Sequence, residues 1–154
     1  MRTKNPAVQQ TDEHILAAAE VILHRRLKRL GKIAEPAAAG RYLRSRCGHF
    51  DREVFGCIFL DVRHQILAVE DLFLGSLDGA EVHPREVARR ALTLNAACVI
   101  AFHNHPSGNL EPSTADRSVT SRLKEALSLL DIRLLDHIVV SADGFVSLAN
   151  RGWV

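Results

Sequence analysis

The sequence has no long apolar run and no apolar leader at its start. Its longest uninterrupted apolar stretch, Ala96 to Phe102, is far shorter than the roughly 20 residues that a membrane-spanning helix needs. Residues 1 to 10 are mostly polar and lack the apolar core of a secretory signal. We therefore expect a protein without a membrane segment that stays in the cytoplasm.

The sequence is also poor in cysteine. Its three cysteines, Cys47, Cys57 and Cys98, are odd in number and include no Cys-x-x-Cys pair. Cys57 and Cys98 lie inside apolar runs that resemble buried strands. This pattern predicts reduced packing residues and excludes a disulfide framework or a thiolate metal site.

An excess of charge of one sign is missing too, since the formal net charge is only +2. Whole-chain electrostatics therefore give no reason to expect nucleic acid as a partner. One local exception is a basic run at the end of the first predicted helix, which contains Arg25, Arg26, Lys28 and Arg29. Such a run is usually a solvated face that complements the helix dipole, and a phosphate-binding patch for DNA is the alternative.

The length of 154 residues suits one domain with a genuine core. After a loose tail over residues 1 to 10, a helix is expected from Asp12 to about Leu30, ended by Gly31. Ala34 to Cys47 is expected to be a linker followed by a short helix. We treat residues 1–31 as an N-terminal tail and helix, and residues 32–154 as the domain proper.

Hydrophobic periodicity predicts strands and helices over the rest of the chain. Helices are expected to begin at Pro84 and at Ser113, with Leu92 and Leu130 among their inward-facing residues. The first two strands are close enough to form an antiparallel pair. The whole order predicts an α/β fold with a mixed β-sheet and flanking helices. Strands are expected at residues 54–60, 66–74, 96–102, 132–140 and 145–148.

The segment from His103 to Asp116 carries most of the chemical information. If the strand that ends at Phe102 continues through His105, then His103 and His105 project from the same face. Pro and Gly residues then force a turn, and Asp116 lies one turn into the next helix. Two imidazoles and one carboxylate are the three protein ligands of a catalytic zinc site, which keeps its fourth position for water.

Each of these residues also has an ordinary structural explanation. Ser113 and Asp116 together are typical of a helix N-terminus, where a serine caps and an acidic side chain favours the dipole. A single His-x-His pair is weak as well. The conjunction of His-x-His at a strand end, a tight loop and an aspartate in the first helical turn favours the metal site.

At these residues the chain resembles a known family. The pattern His-x-His-Pro, six residues, Ser, two residues, Asp matches the JAMM (MPN-plus) metalloprotease motif. The string from His103 to Gly108 is similar to the bacterial RadC branch, as are Pro84-Arg85-Glu86 and the segment 134–140. The resemblance covers roughly residues 35–154. It implies a JAB/MPN, cytidine-deaminase-like α/β/α sandwich.

The resemblance also implies roles for particular side chains. Zinc would be held by His103, His105 and Asp116, with Ser113 beside the reacting carbonyl, and a glutamate from an upstream strand would act as general base. Glu53 fits that glutamate best, because it precedes a buried-strand run well ahead of the histidines. The other glutamates that we weighed are Glu70, Glu81, Glu86 and Glu111.

Three functions follow as hypotheses. The leading one is a zinc-dependent metallopeptidase that hydrolyses an amide or isopeptide bond in a peptide or protein substrate. The second is a DNA-associated protein of the repair type, which the RadC branch name and the basic run suggest. The third is a metal-binding scaffold without catalysis, which the complete ligand set disfavours. Neither the physiological substrate nor the oligomeric state can be predicted from these residues.

Overall fold

The computed structural model describes residues 11–33, 35–75 and 81–154, and over residues 26–30 it describes only the backbone. The tail expected over residues 1 to 10 lies outside the described residues. The elements within the described ranges, in chain order, are α1 (Asp12–Leu30), α2 (Pro36–Cys47), β1 (Val54–Leu60), β2 (Ile66–Leu74), α3 (Pro84–Thr93), β3 (Cys98–Asn104), α4 (Thr114–Ser128), β4 (Arg133–Val140), β5 (Phe145–Ser147) and a 3-10 helix (Ala149–Arg151).

The five strands form one mixed sheet in the order β2-β1-β3-β4-β5. β1 pairs antiparallel with both β2 and β3, and β4 pairs antiparallel with β5. β3 and β4 are parallel, and α4 supplies the crossover that a parallel pair requires. The predicted α/β class, its mixed sheet and the antiparallel pairing of β1 with β2 are confirmed.

Helices cover both faces of the sheet. On one face α2 packs against residues such as Ile58 and Phe102, and on the other α3 and α4 pack against residues such as Phe59 and Val99. Every residue of β1 and β3 is therefore buried. Strands covered on both faces are continuously apolar, which explains why these two runs do not alternate in the sequence.

The cysteines take the role that their pattern predicts. Cys47, Cys57 and Cys98 are buried and form no disulfide. Burial raises the pKa of Cys47 to about 12, and it raises the pKa of Cys57 as well. These thiols remain protonated at neutral pH and act as packing groups.

The short helix expected within residues 34–47 is present, but it begins earlier than a preceding linker would allow. α2 begins at Pro36, whose fixed φ suits the first turn of a helix, and it runs for 12 residues. Gly40 lies within it, and a Cβ at this position would lie 2.3 Å from the ring of Phe145. The absence of a side chain at Gly40 therefore lets α2 approach β5 closely.

Two leucines expected to face inward are exposed instead. Leu92 is 57% exposed, because it follows the buried Ala91 by one helical position and so points away from the sheet. Leu130 is 40% exposed, because α4 has ended at Ser128 and helical spacing no longer applies. No helix among the described residues is long and apolar enough to cross a membrane.

Candidate metal centre

Two histidines converge at the end of β3. His103 belongs to the strand and is only 1% exposed. His105 follows it in extended backbone, since its N–H donates to the carbonyl of Val140 at 2.8 Å and so prolongs the pairing with β4. The Nε2 atoms of the two rings lie 2.9 Å apart. The shared face expected from strand alternation is therefore present.

The loop after His105 turns back at once and fixes the second imidazole. Gly108 has a φ of +83°, and its N–H donates to the carbonyl of His105 at 3.0 Å. The carbonyl of Asn109 accepts a hydrogen bond from Nδ1 of His105 at 2.6 Å. A carbonyl can only accept, so Nδ1 carries a proton, and in the neutral ring, the form that binds a metal, Nε2 of His105 presents its lone pair to the centre.

Asp116 is held in place by the start of α4. Ser113 caps this helix, and its Oγ accepts from the N–H of Asp116 at 3.0 Å. In return, the Asp116 carboxylate accepts from the N–H of Ser113 at 2.7 Å. This reciprocal capping box fixes the carboxylate against the backbone. Ser113 and Asp116 therefore do cap the helix, and Asp116 also belongs to the cluster described next.

The three candidate ligands form a compact triangle. Oδ1 of Asp116 lies 3.1 Å from Nε2 of His103, and Oδ2 lies 3.3 Å from Nε2 of His105. The ligand atoms of a tetrahedral zinc ion, bound at about 2.0–2.1 Å, are about 3.3 Å apart. The donor types and spacings therefore fit such an ion. Among the described residues, this is the one group of three or more His, Cys, Asp or Glu side chains close enough to hold a metal.

The charges of this cluster depend on one another. The hydrogen bond with Asp116 raises the pKa of His105, and burial partly opposes the shift. Burial acts to raise the pKa of Asp116, but the neighbouring imidazoles of His103 and His105 outweigh it and leave that pKa well below its usual range. Asp116 is therefore ionised at neutral pH, as a metal-binding carboxylate must be.

A third histidine lies behind the cluster. His137 on β4 is fully buried, and its Nε2 lies 2.8 Å from Nδ1 of His103. Burial lowers its pKa well below the usual value, so the ring is neutral. Asp136, the neighbour of His137 in the chain, does not contact its ring. The Asp136 side chain instead accepts from the N–H of His137 and the hydroxyl of Ser147, while the His137 ring faces His103.

Glu53 lines the same cleft as the three candidate ligands. The cleft has a volume of about 300 Å³, and Phe55, Ser113 and His137 also line it. Glu53 comes directly before β1, and β1 pairs with β3 so that Phe55 lies opposite His103. The register of β1 with β3 thus brings a carboxylate from a distant part of the chain to the histidines. Glu53 is outside the group of three candidate ligands and so would be left free if they held a metal.

Comparison with known proteins identifies the family. A family model described as the RadC-like JAB domain matches residues 33–153. The chain belongs to the RadC-like JAB domain family. The α/β fold with its mixed sheet is consistent with that assignment.

Curated relatives of this RadC-like JAB domain are named UPF0758 proteins. One from Xylella fastidiosa (strain 9a5c) is 51% identical over 148 residues, which are 96% of this chain and 62% of the relative. One from Xanthomonas campestris pv. campestris (strain 8004) is 56% identical over 128 residues, which are 83% of this chain and 57% of the relative. The chain thus spans less than two thirds of the length of these relatives.

The four other glutamates that we weighed in this RadC-like JAB domain have partners outside the cleft. Glu70 forms a two-pronged ion pair with Arg90, which lowers the pKa of its carboxyl. Glu86 pairs with Arg89 on α3, and Glu111 pairs with Arg151. Glu81 lies 3.9 Å from His83. Of the glutamates weighed in the sequence, Glu53 alone lines the cleft.

The basic run is far in sequence from the candidate metal centre. Arg25 is exposed on α1, whereas the side chains of Arg26, Lys28 and Arg29 lie outside the described residues. Their proposed role toward DNA stays a prediction. The contact of His137 with His103 could not be predicted from local sequence, because it depends on the parallel register of β3 and β4, which places His137 opposite Ala101. No local pattern in the sequence encodes that register.

Proposed function

We propose that this chain is a zinc-dependent metallopeptidase that hydrolyses an amide or isopeptide bond. The observation that carries the proposal is the triangle of His103, His105 and Asp116 in one cleft with Glu53. Membership of the RadC-like JAB domain family is compatible with it. We further propose that residues 32–154 form the catalytic unit and that residues 1–31 lie outside it.

The three ligands supply what zinc needs. His103 and His105 would bind through Nε2 and Asp116 through a carboxylate oxygen, since these atoms face one another. When bound, zinc would act as a Lewis acid: it would polarise a carbonyl and lower the pKa of its bound water toward neutrality. Glu53 would take a proton from the attacking water and return it to the leaving amine.

Ser113 is suited to stabilise the negative charge that develops on the substrate carbonyl oxygen. Its Oγ uses a lone pair to accept from the N–H of Asp116, so the cap does not consume the hydroxyl proton. The side chain lines the cleft and is exposed to it. The hydroxyl can therefore cap α4 and donate to an oxyanion at the same time.

The direct test is cleavage of a mixed library of peptides and isopeptide-linked peptides by the zinc-loaded protein. We expect new amine termini in the mass spectra, and we expect them to disappear after chelation and to return with zinc. A Glu53→Gln variant used as bait should retain the substrate without cleaving it. A zinc-loaded protein that cleaves no library member and retains none would contradict the proposal.

Ser113→Ala is expected to lower turnover by about 10²-fold, the usual effect of losing one oxyanion donor. It should also cost about 1 kcal/mol of unfolding free energy, because α4 loses its cap. Ser113→Thr keeps the hydroxyl and the cap and is the matched control. Turnover and urea unfolding measure the two effects separately. If Ser113→Ala turns over like the wild type, Ser113 only caps the helix.

DNA association is the second candidate function, favoured by the basic run that contains Arg25, Arg26, Lys28 and Arg29. We expect weak, non-specific binding that falls steeply with salt, because this run offers only a few phosphate contacts. Fluorescence anisotropy of a labelled duplex across a salt series measures it. A tight, sequence-selective complex at physiological salt would make DNA association the leading function in place of peptidase activity.

A further inference from the structure

A chain of buried hydrogen bonds runs behind His103 and returns to the backbone of Asp116. Nδ1 of His103 lies 2.8 Å from Nε2 of His137, and Nδ1 of His137 lies 2.6 Å from Oγ1 of Thr120. The Thr120 hydroxyl donates to the backbone carbonyl of Asp116 at 2.7 Å. We call these three side chains, with that carbonyl, the relay. Thr120 and His137 are fully buried.

With His103 neutral, as a metal-binding imidazole must be, and the fully buried His137 neutral, only one arrangement of protons satisfies all three contacts. The carbonyl of Asp116 cannot donate, so the single hydroxyl proton of Thr120 must point to it. Thr120 must then accept from Nδ1 of His137. The neutral ring of His137 has no second N–H, so its Nε2 accepts from Nδ1–H of His103. The remaining nitrogen of His103, Nε2, is left with its lone pair facing His105 and Asp116.

We infer that Thr120 and His137 are positioning residues that hold His103 in the tautomer with its proton on Nδ1 and its lone pair on Nε2. The inference rests on the proposed metal site, since that lone pair is the one zinc would use. A hydrogen bond at one imidazole nitrogen commonly fixes which nitrogen binds a metal. Here Thr120 lies one helical turn after Asp116, so the same stretch of α4 carries one ligand and sets the tautomer of another.

Phe55 packs against both histidines of the relay. The ring of Phe55 lies 5.4 Å from that of His137, edge to face, and is stacked against that of His103 at 6.1 Å. A buried donor without a partner costs free energy, so loss of the Thr120 hydroxyl would leave Nδ1–H of His137 unpaired. The proton of His137 would then move to Nε2, which would force the proton of His103 onto the nitrogen that faces the cluster.

The first test reads the tautomer directly. Long-range proton–nitrogen NMR spectra of the metal-free wild type, with nitrogen-15 in histidine, distinguish the two forms of each ring. We expect His137 to carry its proton on Nδ1, with its signals assigned by their loss in His137→Phe. In Thr120→Val we expect the proton of His137 on Nε2. A wild-type His137 protonated on Nε2 would overturn the relay.

The second test measures zinc affinity by competition with a chelator. Thr120→Val keeps the shape of the side chain but removes the hydroxyl, and we expect it to weaken zinc binding by about 10- to 100-fold, the usual effect of losing a group that orients a ligand. Thr120→Ser keeps the hydroxyl and should restore most of the affinity. Equal affinities of Thr120→Val and the wild type would overturn the inference, as would an equal loss in Thr120→Ser. Thermal unfolding of the metal-free proteins checks that both variants fold.

These readouts separate the relay from the proposed function. Neither depends on cleavage of a substrate, so an inactive protein that binds zinc would not contradict the relay. A wild-type protein that takes up no zinc would contradict the proposed function. The tautomer of His137 in the metal-free protein would still decide the relay in that case.

Discussion

Replacing Glu53 by glutamine is expected to lower turnover of an amide or isopeptide substrate by about two to four orders of magnitude, because proton transfer is lost. The substitution preserves the size and much of the hydrogen-bonding capacity of the side chain. Zinc content should not change, because Glu53 is outside the triangle of His103, His105 and Asp116. Turnover and elemental analysis on the same samples give both results.

A matched control makes this result specific. Glu111→Gln removes a carboxylate that pairs with Arg151 and does not line the cleft, and we expect it to leave turnover nearly unchanged. Near-wild-type turnover in Glu53→Gln would mean that the base lies elsewhere. Glu86→Gln and Glu70→Gln would then be the next variants to measure.

The double variant His103→Ala, His105→Ala is expected to lose its zinc and its activity together. The wild type should bind about one zinc per chain, because these residues and Asp116 supply one open three-ligand set. One remaining carboxylate is too few ligands for a stable site. Elemental analysis after dialysis against trace zinc measures the difference.

The control for this variant is a pair of histidines outside the centre. His14 and His49 are both exposed, and replacing both by alanine should leave the zinc content unchanged. Circular dichroism must show that both double variants are folded, since His103 is buried and its loss leaves space in the core. Full zinc retention after loss of His103 and His105 would contradict the assignment of the ligands.

The candidate ligands could be predicted because they are close together in the sequence. Strand alternation brings His103 and His105 to one face, and a short loop with a helix start returns Asp116 to them. These are local rules, and the local structure follows them. The roles of the residues as ligands stay predictions, because geometry alone does not measure metal binding.

Other features depend on contacts between distant segments and could not be predicted. The approach of His137 to His103 follows from the parallel register of β3 and β4, and that of Glu53 follows from the pairing of β1 with β3. Glu53 was found only through the family pattern. The full extent of α2 was not predicted, because the fit of Gly40 against Phe145 is a contact between segments far apart in the chain.

The capping box has a consequence for how a metal would be acquired. The Asp116 carboxylate is fixed by the backbone of Ser113, and His105 is fixed by the carbonyl of Asn109, by contacts that include no metal. The conformational entropy of these side chains is therefore lost when the chain folds and not when an ion arrives. In a zinc finger, by contrast, binding and folding are one event. For this chain we expect separate steps, so that an ion could enter or leave an already folded protein.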